Sequence, residues 1–320
     1  MKKASGSLAL RVALLCALAA VLALAMPKAG RAATVGLILP KDCAFSPDSK
    51  EKFSTYLKQE GVPDRGLEVF MQRPGSDKVS RLNSMRKFLA IGADVIVVWG
   101  GTSLKEIANE AGRTPIVFIG AWDPVRDGIV NDLQAPGRNV TGVLGKTSMP
   151  FLLDNILETT QSRVLGVIFH SEVVDSMAQF DELKSLAAGK GVDLVAVDAQ
   201  GMTTESASQA LNPAGFLYLA QGCVVEGGVY DALKDLNKPA ATQNPGVTGG
   251  GVVFTLAPDM DETLKEAARI SARIIKGEKP GTIPVARIKK ILFVINLGEA
   301  QRLNVKIPFS VLNKGTEVIR

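Results

Sequence analysis

The chain has 320 residues, with 37 Lys and Arg against 32 Asp and Glu, and its formal net charge is +5. Hydrophobic residues make up 46% of the chain and aromatic residues 5%, with three cysteines and one histidine. This length and composition are those of a globular protein with room for two domains, and a single His excludes most metal centres and Ser-His-Asp triads.

The first 33 residues have the features of a signal peptide. Lys2 and Lys3 begin a basic front, and Val12–Met26 is an uncharged apolar core that is short for a permanent membrane anchor. Small residues follow the core, so we expect cleavage after Ala32 or Ala33 and export to the periplasm. The alternative interpretation is an N-terminal membrane anchor.

The basic character of the chain comes from this targeting segment. The segment holds five basic side chains and no acidic one, so the remaining 287 or so residues have a formal net charge of zero. A nucleic-acid partner is therefore not expected. The remaining part also lacks a second apolar stretch long enough to span a bilayer, which predicts a soluble mature protein.

Strand and helix patterns alternate through the first half of this remaining part. Short apolar, β-branched runs are typical of buried parallel strands, and the segments between them have helical spacing of their apolar residues. The order predicts a doubly wound parallel sheet. The predicted strands are Thr34–Leu39, Leu67–Arg73, Asp94–Trp99, Pro115–Ile119 and Asn139–Val143. One predicted helix begins at Ser46-Pro47, and two others cover Ser76–Ile91 and Ser103–Ala111.

The second half repeats this architecture, which predicts a second α/β lobe. The segment Ile283–Arg320 is expected to supply the last crossing between the lobes and a terminal helix or strand. The predicted helices are Met149–Thr160, Met177–Ala188, Val224–Leu236 and Met260–Ile275, and the predicted strands are Arg163–Phe169, Val192–Val197, Ala214–Ala220, Pro239–Thr242 and Val252–Leu256.

Several motifs together resemble a known family. These are PIVFIGAWDPVRDGIV, which starts at Pro115, then PGRNVTGV, IIKGEKPGTIPV and FVINLGEAQRLNVKIPFSVL. They resemble the ABC-transporter substrate-binding proteins typified by uptake proteins for aromatic amino acids. Trp122 replaces the usual Thr of a Thr-Asp-Pro-Val turn, and Arg138 replaces the second Gly of a Pro-Gly-Gly-Asn-Val-Thr-Gly run.

The resemblance implies a type I periplasmic binding-protein fold, with two lobes joined by a multi-strand hinge. The N-terminal lobe would comprise 34–147 and about 257–282, and the C-terminal lobe 148–256 and about 283–320. It also implies a monomeric solute-binding component of an ABC importer that captures a small molecule, such as an aromatic amino acid. It implies no cofactor and no reaction, and its partner would be an inner-membrane ABC permease. The alternatives are a periplasmic sensor that feeds a receptor and an exported α/β enzyme that uses Asp123 or His170.

The ligand is expected in a cleft between the lobes, because open α/β sheets bind ligands at the carboxyl ends of their strands. We expect the loops that follow these ends to line the cleft from both sides. The candidate ligand-binding residues are Asp42, Cys43, Gly101, Thr102, Ser103, Trp122 and Asp123 in the first lobe, and His170, Ser171, Gln221, Gln243 and Asn244 in the second.

Four of these positions have a structural alternative. Thr102 and Ser103 start a helix, whose free N–H groups suit a ligand carboxylate, but they equally suit capping of that helix. Trp122 is placed to stack on an aromatic ligand or to pack under the Asp-Pro turn. Asp123 is placed to pair with a ligand amine or to brace the turn through its backbone, and bracing is favoured.

Cys43 and Cys223 both follow strands, one in each lobe, and an oxidising compartment would allow them to pair. A disulfide across the cleft would clamp the lobes together and hinder a protein that must open. Two separate thiols are therefore the favoured interpretation.

Overall fold

A computed structural model describes residues 32–41, 46–75, 77–220 and 235–320. Nearly all of the predicted signal peptide and most of the helix predicted over Val224–Leu236 lie outside these residues. Asp42, Cys43, Gln221 and Cys223 lie outside them as well. Within the described ranges, no helix is long and apolar enough to cross a membrane.

Thirteen strands form two sheets in the described part of the chain. The strands are β1 (Ala33–Ile38), β2 (Leu67–Gln72), β3 (Val95–Trp99), β4 (Ile116–Ala121), β5 (Val140–Leu144), β6 (Val164–Phe169), β7 (Asp193–Asp198), β8 (Phe216–Leu219), β9 (Ala240–Thr242), β10 (Val252–Pro258), β11 (Ala286–Arg287), β12 (Ile291–Asn296) and β13 (Glu317–Ile319).

Helices connect most of these strands and cover both sheets. They are α1 (Ser49–Gln59), α2 (Lys78–Ala90), α3 (Gly101–Glu110), α4 (Met149–Thr159), α5 (Val174–Gly189), α6 (Thr204–Leu211), α7 (Met260–Ile275), α8 (Leu297–Arg302) and α9 (Phe309–Leu312), with a short 3-10 turn at Pro280–Thr282.

The sheet of the first lobe has six parallel strands in the order β11-β5-β4-β3-β1-β2. Every residue of β3, β4 and β5 is buried, as expected for parallel strands covered on both faces. Phe53 of α1 and Ala267 of α7 pack on one face, and Phe88 of α2 and Ile107 of α3 pack on the other. The first lobe is therefore a doubly wound sheet.

The sheet of the second lobe has seven strands in the order β13-β12-β10-β9-β8-β6-β7. Adjacent strands in this sheet run parallel to each other, except that β12 runs antiparallel to β10. Aromatic rings fill its core: the ring centroids of Phe216 and Phe254 are 5.8 Å apart, and those of Phe254 and Phe293 are 5.4 Å apart. Such pairs add to the hydrophobic stabilisation of the core.

The chain crosses between the two sheets three times, from β5 to α4, from β10 to α7 and from β11 to β12. Two α/β lobes with a multi-strand connection confirm the predicted fold class. Because β11 pairs with β5, the first-lobe segment extends to Arg287, a few residues beyond the boundary expected at about 282.

The helix starts differ most from prediction. Helix α1 begins at Ser49 with Asp48 as its N-cap, so Ser46 is not the cap. Helix α5 begins at Val174, three residues before the predicted start at Met177. Helix α6 was not predicted; it is short, buries few apolar side chains, and is fixed by a capping box between Thr203 and Ser206.

The Asn-Val-Thr-Gly run has structural contacts throughout. The Asn139 amide donates hydrogen bonds to the Gly112 and Thr114 carbonyls, at 2.9 and 2.7 Å. The Thr141 hydroxyl donates to the Ile283 carbonyl at 2.8 Å, which ties β5 to the segment that precedes β11. At Gly142, a Cβ atom would lie 2.6 Å from the backbone nitrogen of Phe118. The run therefore holds the hinge side of the first lobe together.

Gly142→Ala is expected to lower the free energy of unfolding by about 3 kcal/mol, because the added methyl overlaps the main chain of β4. Urea unfolding followed by circular dichroism measures this. Gly189→Ala is the matched control, since a Cβ atom there has no neighbour within 4 Å. Equal stability of the two variants would contradict the expected overlap.

Candidate functional site

The two lobes touch where α3 of the first lobe meets α5 of the second. The Asp175 carboxylate accepts hydrogen bonds from the backbone N–H groups of Gly101, at 2.6 Å, and Trp122, at 2.8 Å. Next to it, the Val174 N–H donates to the Thr102 hydroxyl oxygen at 3.1 Å. The carboxyl ends of β3 and β4 are thus bound directly to the first turn of a second-lobe helix.

A glycine pair after β3 makes this contact possible. Gly100 has φ +81°, a left-handed conformation that favours glycine, and it ends the strand just before α3 begins. A Cβ atom on Gly101 would overlap Asp175 Oδ1 and lie 2.9 Å from Val174 Cγ2. The sequence Gly100-Gly101 therefore turns the chain and leaves room for the Asp175 side chain.

Burial raises the pKa of Asp175 to about 6, even though the two N–H donors lower it. The positive end of the α3 dipole also favours a carboxylate at this place. Asp127, on the turn after β4, raises the pKa of Asp175 further, and burial raises its own pKa too. Asp127 Oδ2 is buried and has no hydrogen-bond partner among the described residues. Two carboxyl groups whose surroundings raise their pKa thus lie at the contact between the lobes.

Trp122 belongs to the first lobe by sequence but packs in the core of the second. Its ring is 1% exposed and is part of the hydrophobic cluster that contains Met149 and Leu152. Its Nε1–H donates to Glu182 at 3.2 Å, and Glu182 pairs with Lys146 at 2.6 Å. The ammonium of Lys146 lies 5.6 Å from the centroid of the ring, a cation–π distance. The ring presents no open face for a ligand in this structure.

Asp123 braces the turn that follows β4. Its Oδ1 accepts a hydrogen bond from the Arg126 N–H at 3.1 Å, which is the backbone contact favoured by the sequence. The Arg126 guanidinium in turn pairs with Asp181 of α5. The turn is therefore a second point of contact between the lobes.

A buried polar network lies beside this contact, in the second lobe. The Tyr218 hydroxyl is 2.6 Å from Gln179 Oε1 and 3.0 Å from Gln243 Oε1, and Gln243 Nε2 donates to the Thr147 hydroxyl at 2.8 Å. Burial, with the charge of Glu182, raises the pKa of Tyr218 well above its usual value, so the phenol stays neutral. Gln243 is thus held by Tyr218 of the second lobe and by Thr147 on the crossing from β5 to α4.

The other second-lobe candidates are engaged locally. His170 Nδ1 accepts from the Glu172 N–H at 3.2 Å, and the Ser171 hydroxyl donates to Gln200 Oε1 at 3.2 Å. The Asn244 N–H donates to the Thr242 hydroxyl at 3.1 Å. These hydrogen bonds lie within second-lobe turns, away from the contact between Gly101 and Asp175.

The structure therefore brings Gly101, Thr102 and Trp122 together with second-lobe residues that the sequence did not identify. Ser103 is buried, at 2% exposed, in the same turn of α3. No group of three or more His, Cys, Asp or Glu side chains in the described ranges can hold a metal ion. The residues missed at the sequence level are Val174, Asp175, Gln179, Glu182, Tyr218, Lys146 and Thr147. For Asp175 the one visible signal was its place in a partly polar segment that follows the predicted strand Arg163–Phe169.

A model of the family described as ABC transporter substrate binding protein matches residues 49–319. The chain is 23% identical, over 259 residues, to a tyrosine-binding protein of Clostridioides difficile (strain R20291). That match covers 78% of this chain and 74% of the relative.

Solved structures share the fold. A conserved domain protein from Vibrio cholerae has a TM-score of 0.80 at 23% identity, and an ABC domain from Streptococcus pneumonia in complex with L-Trp has 0.80 at 21%. Each match covers 90% of this chain and 100% of the other. A ligand-free, open substrate-binding protein from Clostridium difficile has 0.66 at 19%, over 90% of this chain and 99% of that one.

Trp122→Ala is expected to lower the free energy of unfolding by about 3 to 5 kcal/mol, because it leaves a cavity in the second-lobe core. Trp122→Phe keeps most of the ring's packing and loses the hydrogen bond to Glu182, so its free energy of unfolding should fall by less than that of Trp122→Ala. Urea unfolding of both variants measures the difference. A Trp122→Ala variant as stable as the wild type would place the ring outside the core.

Proposed function

Because the chain belongs to the ABC transporter substrate-binding protein family, we propose that it is the exported component of an importer, which captures a small molecule between its lobes and delivers it to an inner-membrane permease. The observation that carries the proposal is the family match over residues 49–319, which includes segments of both lobes and all three crossings. The crossings allow the lobes to move as two bodies about a hinge, and ligand contacts made to both favour the closed form.

The ligand class that we propose is an aromatic amino acid. Relatives named for tyrosine binding and solved with L-Trp support it. In addition, the backbone N–H groups of Thr102 and Ser103 open helix α3 and have no hydrogen-bond acceptor among the described residues. N–H groups at the positive end of a helix suit a ligand carboxylate. Ligand binding by the other candidate residues remains part of this proposal.

The proposal is for binding without turnover. The family is one of solute-binding proteins, and the two side chains considered for catalysis are occupied by their own turns: Asp123 accepts from Arg126 and His170 accepts from Glu172.

L-Tyrosine or L-tryptophan is expected to raise the melting temperature by mass action, corresponding to about 2.7 kcal/mol at a ligand concentration of 100 Kd. A panel of analogues tests the proposed carboxylate contact. Tyramine lacks the carboxylate and should give no shift, whereas 3-(4-hydroxyphenyl)propionate lacks the amine and should retain part of it. Myo-inositol serves as the control ligand.

A shift with myo-inositol and none with any aromatic amino acid would overturn the ligand class. Recovery of a chemically altered compound after incubation, detected by mass spectrometry, would favour the enzyme alternative instead. An equal shift with tyramine and tyrosine would leave the ligand class in place and remove the carboxylate contact.

Export is expected to leave a mature chain that begins at Ala33. Ala33 is the first residue of β1, is 5% exposed and pairs with Leu67, so cleavage after Ala32 would keep the strand whole. Intact-mass measurement of the periplasmic fraction from a Gram-negative host checks the cleavage site. An uncleaved chain in the membrane fraction would support the anchor alternative.

A further inference from the structure

We propose that Asp175 is a positioning residue that latches the cleft, binding first-lobe backbone N–H groups in the closed form and coupling closure to the uptake of a proton. This inference rests on the proposed opening and closing of the lobes, and it goes beyond that function by naming the contact that holds the closed form.

The geometry fits a latch because donor and acceptor come from different lobes. Asp175 stands in the first turn of α5, and its two donors, Gly101 and Trp122, follow neighbouring strands of the first sheet. The carboxylate is 5% exposed, so water has little access to it in this arrangement. If the lobes separate, both N–H groups and the carboxylate return to water, and the contact is lost as one unit.

Gly101 makes the latch sensitive to a single methyl group. A Cβ atom at this position would overlap the Asp175 carboxylate and contact Val174 Cγ2 at 2.9 Å. Both of these atoms belong to the second lobe. Position 101 is in the first turn of α3, where alanine has a higher helix propensity than glycine. An alanine here therefore opposes closure without opposing the fold of the first lobe.

Charges around Asp175 determine how the latch responds to pH. Helix α3 carries Lys105, and the turn after β4 carries Asp123, Arg126 and Asp127. Of these, Asp127 acts on Asp175 and raises its pKa, while Arg126 and Lys105 lower the pKa of Asp127 itself. On α5, the Glu182 charge is paired with Lys146. Burial in the closed form remains the largest effect on Asp175.

The sign of the pH effect follows from the raised pKa. The carboxyl has a pKa of about 6 in the closed form, and one of about 3.9 is expected when it is open to water. Proton uptake by Asp175 therefore stabilises the closed form. This stabilisation is complete below the pKa of the open form and is lost as the pH rises through about 6. Closure should be about tenfold more favourable at pH 5 than at pH 7.

Protonation of Asp175 also affects the binding of a ligand carboxylate. The Asp175 carboxylate accepts a hydrogen bond from the Gly101 N–H, which lies next to the Thr102 and Ser103 N–H groups proposed to bind the ligand carboxylate. Two negative charges at one helix terminus repel each other, and protonation of Asp175 removes that repulsion. Ligand affinity should thus rise at low pH in the same direction as closure.

Small-angle X-ray scattering of the ligand-free protein at pH 5 and pH 8 tests the latch. The wild type should be more compact at pH 5. Gly101→Ala should be expanded at both values, and Asp175→Asn, which cannot ionise at position 175, should lose most of the change with pH and keep only what Asp127 contributes. The controls are Gly189→Ala, where a Cβ atom meets nothing within 4 Å, and Asp154→Asn, on an exposed pair with Lys190. Both should behave as the wild type.

Calorimetric titration with the amino acid that the wild type binds gives the second measurement. We expect an affinity loss of about tenfold in Gly101→Ala at pH 7, because the closed fraction falls. In Asp175→Asn we expect the affinity to change with pH much less than in the wild type. The latch is overturned if wild-type compactness and affinity do not change from pH 5 to pH 8, or if Asp175→Asn retains the full pH dependence. If no amino acid binds while the scattering changes as expected, the proposed ligand fails and the latch stands.

Discussion

A buried carboxylate at the contact between two lobes requires compensation, and the first lobe supplies it from the main chain. Transfer of a charged group out of water is costly unless hydrogen bonds and opposite charge replace the water. Asp175 receives two N–H donors and the positive end of α3. Those donors are within reach because Gly101 has no side chain, so one glycine and one aspartate define how closely the lobes approach.

Trp122 extends this contact into a shared core. Its N–H binds Asp175 while its ring lies among apolar side chains of the second lobe, and Glu182 and Lys146 hold the ring's polar edge. Asp175, Gln179 and Glu182 recur at helical spacing, so one face of α5 makes most of these contacts. The first lobe is thus joined to the second by a side chain as well as by the three crossings, and any hinge motion must account for both.

The sequence was informative where burial is simple. Most strands and helix α7 were predicted to within two residues, because fully apolar runs and a regular apolar stripe leave few alternatives. Helix α5 was predicted three residues short, because its buried face carries Asp175, Ser176 and Gln179 and its first turn therefore looks like a loop. One of these polar residues, Asp175, makes the interlobe contact. Periodicity within one helix cannot reveal a partner in another lobe, which is why Asp175 was missed and why the sequence left Trp122 open between stacking on a ligand and packing under its turn.

The motifs that identify the family are poor guides to its ligand for a related physical reason. Asn139, Thr141 and Gly142 satisfy backbone carbonyls or leave space for a neighbouring strand, so their identity is dictated by the fold. Ligand selectivity must instead depend on residues at the strand ends, where side chains are free of such packing demands. Trp122 follows β4 and Asp175 stands in the first turn of α5, and each contacts the other lobe. Under the proposed closure, part of the cleft wall therefore holds the lobes together, and the ligand would be recognised by the groups that remain.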